Sequence, residues 1–185
     1  TEFSRKMSPE LFRIEQYVEM VLTFLRLDSD TTDYVIKEYS LDDIVSQAVR
    51  KFSGDFINRK LTLEYKPLKA KVITDEKWLS FVIEQVLSNA LKYTVNGKIS
   101  ISMEEPKTLC ISDTGIGIAA EDLPRIFEKG YSGYNGRVNK RASGIGLYLC
   151  KRICGNLGHG ITAQSAVDRG TTVRIDLNQK KLDVE

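Results

Sequence analysis

The sequence predicts an α+β fold, a two-layer sandwich with helices on one face of a mixed sheet. Three observations carry that prediction. Segments whose apolar residues recur at helical spacing alternate with short runs of strand character. Several of those runs are joined by tight connections, Glu104-Glu105-Pro106 and Asp168-Arg169-Gly170 among them, as in hairpins. Of the 185 residues, 42% are hydrophobic, enough to bury a proper core. Helices interleaved with hairpin-connected strands bury their apolar faces by packing as two layers.

In chain order, Leu11, Ile14, Val18, Val21 and Leu25 step by three and four, the apolar seam of a helix that packs on other helices. Ser8-Pro9 is expected to start it, since proline is tolerated in a first turn. One amphipathic helix cannot hide its own stripe. The segment therefore reads as part of a bundle whose other members lie upstream or in a second chain, the alternative being a helix folded back on the domain. Residues 28–33 (Asp-Ser-Asp-Thr-Thr-Asp) form a polar linker. The expected division is a helix over 1–28, a linker over 29–33 and a main domain over 34–185.

Within that domain, residues 34–39 alternate like a short strand. Ser40-Leu41-Asp42-Asp43 resembles a capping box with Asp43 in place of the usual Glu, and Leu41, Ile44, Val45, Ala48, Val49 and Phe52 form one helical face. Strands are expected over 61–65 and 71–73, and Thr74-Asp75 caps a helix over 76–93. Strands over 98–103 and 107–112 follow, then a helix near 121–127 and a glycine-bearing, basic stretch over 129–143. A helix over 144–157 and strands over 160–166 and 171–177 complete the chain.

Composition excludes several classes. Twenty-seven basic against 25 acidic residues leave a net charge of +2, so no nucleic-acid or acidic partner is implied. No apolar run is long enough to span a bilayer, and no signal peptide is visible. Cys110, Cys150 and Cys154 make no C-x-x-C pair. Cys150 and Cys154, four apart in an apolar helical pattern, read as small core residues rather than metal ligands, and a reducing cytosol is the simplest setting.

The chemistry centres on Leu109-Cys110-Ile111-Ser112-Asp113-Thr114-Gly115-Ile116-Gly117-Ile118, an apolar run ending in one carboxylate and two glycines. A carboxylate at the end of a buried strand is costly unless something hydrogen-bonds it. Asp113 offers an acceptor to an amino group, and Gly115 and Gly117 are expected to make room for the ring or sugar that carries it. A tight hairpin turn is the alternative. On the 76–93 helix, Gln85, Asn89 and Lys92 fall within about a sixth of a turn of one another. A polar stripe on an otherwise apolar helix needs partners, and Asn89 can present a neutral oxygen to Mg²⁺ while Lys92 meets a phosphate. Ser143-Gly144-Ile145-Gly146-Leu147 opens a helix whose free N–H groups suit anions. Ahead of it, Lys129, Arg137, Lys140 and Arg141 share a stretch with Gly130, Gly133 and Gly136, as in a cationic lid over polyphosphate. Neither a P-loop nor the signature of an ordinary protein kinase is present.

Taken together, Asn89-Ala90-Leu91-Lys92-Tyr93, Asp113-Thr114-Gly115-Ile116-Gly117, Arg125-Ile126-Phe127-Glu128, Gly144-Ile145-Gly146-Leu147 and Gly170-Thr171-Thr172 resemble, in order, five sequence boxes of bacterial sensor histidine kinases. These are the asparagine box, the first glycine box, the phenylalanine box and the second and third glycine boxes. The superfamily is shared with gyrase, Hsp90 and MutL. Arg13-Ile14-Glu15-Gln16-Tyr17-Val18, Thr74-Asp75-Glu76-Lys77-Trp78-Leu79 and Phe127-Glu128-Lys129-Gly130-Tyr131 with Asn135-Gly136-Arg137 are similar to the small kinases that sense bacitracin and other antimicrobial peptides beside an ABC transporter.

That resemblance implies the Bergerat ATP-binding fold, with ATP and Mg²⁺ as cofactors. It implies that Asp113 holds the adenine amine, that Asn89 reaches Mg²⁺, and that Lys92 and the lid, with Lys129 and Arg137, hold phosphates. Gly144 and Gly146 would admit those phosphates, Tyr93 would lie against the base, and Thr172 would join the polar network around Asp113. Gly115, Gly117, Ile118, Phe127 and Leu147 complete the implied nucleotide set. The first helix would be the tail of a dimerisation and phosphotransfer hairpin in a homodimer. The partners implied are a response regulator and an ABC transporter. The location implied is the cytoplasmic side of a cell-membrane sensor, with membrane contact only through segments upstream.

Two departures from the family pattern matter. Gln85, grouped with Asn89 and Lys92 as the catalytic set, stands where many members carry Asn and where ATP-hydrolysing relatives carry a general-base Glu. Glutamine cannot take a proton from water, so fast intrinsic hydrolysis is not expected. The single histidine, His159, lies between glycines and reads as structural. The acceptor histidine is therefore expected upstream of residue 1, so this chain should bind ATP without phosphorylating itself. Two other readings compete: a nucleotide-gated interaction module without phosphotransfer, and half of an aspartic-protease dyad at Asp113.

Overall fold

The computed structural model describes residues 2–27, 33–133 and 143–178. It divides into two compact units, Thr1–Tyr34 and Val35–Glu185. The linker expected over 29–33 lies, apart from Asp33, outside the described residues.

The first unit holds helix α1, Glu2–Leu27. It begins upstream of Ser8-Pro9 and runs through Pro9, so the expected start is corrected. Proline forfeits a single i→i−4 bond there, and several turns on either side sustain the helix. Leu11, Ile14, Val18, Val21 and Leu25, the predicted seam, are each between 42% and 60% exposed.

The second unit is the α+β sandwich. Strand β1 (Lys37–Ser40) leads into α2 (Leu41–Lys51) and α3 (Ser53–Arg59), then β2 (Thr62–Tyr65), β3 (Lys71–Thr74) and α4 (Glu76–Tyr93). Next come β4 (Lys98–Glu104), β5 (Thr108–Asp113), helix α5 (Gly146–Asn156), β6 (Gly160–Ala166) and β7 (Gly170–Asp176). Two caps work as the sequence predicts. Ser40 Oγ accepts from the Asp43 amide at 3.4 Å, and Asp75 Oδ1 accepts from the Lys77 and Trp78 amides at 3.0 and 3.1 Å.

Five strands form one sheet in the order β2-β4-β5-β7-β6, and β1 pairs with β3 in a separate ribbon. Strand β2 lies parallel to β4 and the other neighbours are antiparallel, which makes the sheet mixed. Helix α4 packs between α2 and α5. Its Leu79, Val82, Ile83 and Leu87 are fully buried, as are Ile99, Ile101, Leu109 and Ile175 on the helix-facing side of the sheet. The alternate residues Ser100, Ser102, Ser112, Thr172 and Arg174 are polar and half-buried, so the other face is open. Arg174 lies on that face, bonded to Glu104 at 3.0 Å and Gln164 at 2.8 Å.

Several element boundaries differ from expectation, and β1, expected over 34–39, begins only at Lys37. Helix α3, Ser53–Arg59, is not among the expected elements, and it buries Phe56. The helix expected near 121–127 is a single 3₁₀ turn, Leu123–Arg125, where Pro124 supplies no N–H to extend it. Helix α5 starts at Gly146 rather than Gly144, whose φ of +68° lies in the left-handed region.

Candidate functional site

Strand β5 is the middle strand of its sheet, and its period-two alternation turns Asp113 to the same side as Leu109 and Ile111. Burial pushes the Asp113 carboxyl above its ordinary value, while the backbone of Gly115 and Thr171 and the Thr94 hydroxyl act in the opposite sense. The Gly115 amide donates to Asp113 Oδ1 at 2.7 Å. Thr94 is fully buried, and its Oγ1 lies outside hydrogen-bond geometry of any described partner. A carboxylate held half-desolvated with acceptor capacity to spare can read an amino group.

The C-terminal end of α4 closes on this carboxylate. The Tyr93 carbonyl accepts from the Ile116 amide at 3.2 Å. Gln85, Asn89, Lys92 and Tyr93 are all half-buried, on a helix whose other faces carry Trp78, Leu79, Val86 and Leu91 into the core. Among the described residues the side-chain amides of Gln85 and Asn89 have no protein hydrogen-bond partner. The Lys92 ammonium sits 4.9 Å from the centre of the Tyr93 ring, and burial raises the Tyr93 phenol. The end of the helix that carries the predicted stripe is thus tied to the loop that follows the predicted carboxylate.

The glycines do something other than make room for a ring or sugar. A Cβ on Gly115 would fall 2.4 Å from the Tyr93 carbonyl oxygen, and one on Gly117 (φ +68°) would fall 1.9 Å from that of Ala166. On Gly170 it would meet the Asp113 carbonyl oxygen at 1.9 Å, and on Gly144 the Gly130 carbonyl carbon at 2.5 Å. Each bare position is occupied by the protein's own backbone. The expectation for Gly115 and Gly117 is corrected: their bareness lets the loop lie against α4 and against the β6–β7 turn.

Thr172 is a second correction. Register pairs it with Ser112, and its Oγ1 lies 2.9 Å from Ser112 Oγ on the open face of the sheet. Thr171, paired with Asp113, faces the carboxylate side instead. Its Oγ1 is 2.9 Å from Ser165 Oγ, which also accepts from the Ile118 amide at 2.8 Å. Thr171, Ser165 and Thr94 therefore lie on the Asp113 side, where the sequence reading expected Thr172. The strand's alternation, with Val173 and Ile175 buried, carried the signal for Thr171.

Around the second glycine pair, α5 opens at Gly146 with Ile145 in the capping position, no side-chain cap and no acidic residue in its first turn. Leu147 and Gly146 are half-buried there. The Gly130 amide donates to the Gly144 carbonyl at 2.9 Å, which ties both ends of the basic stretch. Phe127 lies 5.3 Å from the Lys151 ammonium, and Lys129 is exposed. Arg137, Lys140 and Arg141 lie outside the described residues. His159 is 6% exposed, with Nε2 3.0 Å from Thr74 Oγ1 and burial lowering its pKa. It is a core residue tying the start of β6 to the end of β3.

With this geometry described, likeness to known proteins can be stated. Residues 74–181 match the family described as histidine kinase-, DNA gyrase B-, and HSP90-like ATPase. The chain is 31% identical over 184 residues to the sensor histidine kinase YxdK of Bacillus subtilis, covering 95% of this chain and 56% of that protein. It is 32% identical over 170 residues to the sensor protein BceS of Halalkalibacterium halodurans, covering 90% and 51%. To the sensor protein kinase GraS of Staphylococcus aureus it is 34% identical over 171 residues, covering 90% and 49%. The chain thus spans about half the length of these relatives. Its fold is like that of full-length ShkA in complex with AMPPNP, at a TM-score of 0.75 and 19% identity, over 94% of this chain and 36% of that one. It is also like the histidine kinase AdeS of Acinetobacter baumannii, at 0.68 and 21%, over 94% and 83%.

Proposed function

The chain belongs to the histidine kinase-, DNA gyrase B-, and HSP90-like ATPase family, and from that premise we propose that it is the ATP-binding catalytic part of a sensor histidine kinase. In the whole protein it transfers the γ-phosphoryl group of ATP to a histidine on a dimerisation helix, from which a response-regulator aspartate receives it. One observation carries this reading. The Tyr93–Ile116 hydrogen bond ties the C-terminal end of α4 to the loop that follows the half-buried Asp113 carboxylate, which supports a shared cleft.

Asp113 accepts from the adenine amino group, with the Thr94 and Thr171 hydroxyls beside it, and the Tyr93 ring lies against the base. Lys92 and the uncapped amides of α5 meet the phosphates. For Mg²⁺ the fit is a sparse one. Among the described residues no group of three His, Cys, Asp or Glu side chains could hold a metal. The Asn89 oxygen suits an ion that takes few protein ligands and completes its shell with phosphate and water. Bound there, the ion would supply charge neutralisation for the transferring phosphoryl group. The chain's own task is to position the nucleotide and to place positive charge against the phosphates.

Glu84, one residue from Gln85, is engaged with Lys51 at 2.7 Å. Neither residue serves as a general base, so slow intrinsic hydrolysis accompanies phosphotransfer. The exposed stripe of α1 is the face offered to a dimer partner. The family resemblance of the sequence implies work on the cytoplasmic side of a membrane sensor, with a response regulator and an ABC transporter as partners. Among the described residues no helix is long and apolar enough to cross a membrane.

Titration of the chain with an ATP analogue, with and without Mg²⁺, tests the nucleotide assignment. Saturable, Mg²⁺-dependent binding lost in Asp113→Asn is expected. A separate fragment carrying the acceptor helix, mixed with labelled ATP, tests transfer. Label on that fragment is the expected result, and binding without transfer would leave only a nucleotide-gated interaction module.

A further inference from the structure

The last turn of α4 carries Lys92, Tyr93 and the capping residue Thr94, yet it lacks the usual means of ending a helix. No glycine follows in the left-handed conformation; Thr94 is extended, with φ −101° and ψ 112°. The terminal carbonyls must find donors elsewhere. The Ala90 carbonyl takes the Thr94 amide, and the Tyr93 carbonyl takes the Ile116 amide. The carbonyls of Leu91 and Thr94 are both taken by Arg59, Nη1 donating to Leu91 and Nη2 to Thr94 at 3.2 Å.

Arg59 is the last residue of α3, an element with no other part in the cleft. Its reach is fixed locally. Lys60 turns the chain at φ +54°, and the Leu61 amide returns to the Phe56 carbonyl at 3.0 Å. The planar guanidinium presents two donors in a fixed fork, and its charge is favourable at a helix C-terminus. The two carbonyls it holds bracket Lys92 and Tyr93. The same turn sets the Thr94 hydroxyl beside Asp113 and, through the Tyr93 carbonyl, anchors the first glycine loop.

We infer that Arg59 is a positioning residue for the base-binding end of the nucleotide site, clamping the end of α4 so that Tyr93 and Thr94 keep their place against Asp113. The inference rests on reading the cleft as a nucleotide site. In this role Arg59 acts through the α4 carbonyls it holds. Its loss should therefore act on the adenine end and spare the phosphate end.

The test compares wild type, Arg59→Gln and Arg59→Lys, titrated with an ATP analogue, ADP and adenosine well below each variant's Tm. Amide hydrogen exchange at Ile116 is read without nucleotide. Arg59→Gln should weaken all three ligands by a similar factor, about tenfold for the loss of charge-assisted hydrogen bonds. Ile116 exchange should accelerate, and Arg59→Lys should recover part of the affinity. A fall in Tm with unchanged affinities would make Arg59 merely structural and overturn the inference, as would a loss confined to the triphosphate. If Arg59→Gln does not fold, Arg59→Lys decides: affinity equal to wild type overturns the proposal. Should wild type bind none of the three, the proposed function falls and takes this inference with it. Normal wild-type binding matched by both variants overturns this inference alone.

Discussion

The Tyr93 carbonyl accepts a hydrogen bond from the Ile116 amide at 3.2 Å, and Gly115 lies flat against the same carbonyl. Through this contact a helix end and a strand end, distant in sequence, become one site. Gly115→Ala would set a methyl 2.4 Å from that oxygen and 2.8 Å from Asp113 Oδ1. We expect destabilisation of about 1–3 kcal/mol by urea unfolding, together with loss of nucleotide binding. Gly155→Ala, with nothing within 4 Å of the added carbon, should instead stabilise by about 0.5–1 kcal/mol.

Asp113 opposes folding in the form that binds ligand. Its folded-state pKa is raised by burial, so its contribution favours the fold at low pH and is lost as pH rises through that value. Asp113→Asn removes the ionisation while keeping an oxygen for the Gly115 amide. At neutral pH the ligand-free variant should melt at or above the wild-type Tm, the difference shrinking as pH falls. A calorimetric pH series checks this, alongside the expected loss of nucleotide binding.

Register separates two neighbouring threonines. Thr171→Val should weaken ATP-analogue binding, because that hydroxyl joins Ser165 beside Asp113. Thr172→Val, on the open face with Ser112, should leave affinity unchanged. Isothermal titration of the two variants distinguishes them, and the reverse order of effects would contradict the register.

His159 should impose a second pH dependence. Its pKa is lowered by burial, with Asp176 partly opposing, so the unfolded chain binds the proton more readily than the fold. Stability should fall as pH drops below about 6.5, the unperturbed imidazole value. His159→Gln should flatten the urea midpoint between about pH 7 and about pH 5. An unchanged slope would show that the ring is not the titrating group.

Much of this was legible in the sequence because local chemistry decided it. The Ser40 and Asp75 caps and the full span of α4 follow from capping residues and helical period. What stayed hidden depended on tertiary neighbours. Helix α3 is not among the expected elements, and it holds Phe56 in the core. Gly117 and Gly170 read as ligand clearance or turn chemistry until the carbonyls of Ala166 and Asp113 are seen where their side chains would be. Arg59 gave no sign at all, since nothing in sequence announces which helix end an arginine will reach.

The Gly130–Gly144 hydrogen bond has a corollary for chain length. It closes the intervening segment at its base, and closure entropy rises only slowly with length, about 0.6 kcal/mol per doubling. A change of length between these two glycines is expected to leave the 3₁₀ turn Leu123–Arg125 and α5 on either side in place. The length of that segment can therefore vary at small cost, provided both ends still approach as closely as bare glycines allow.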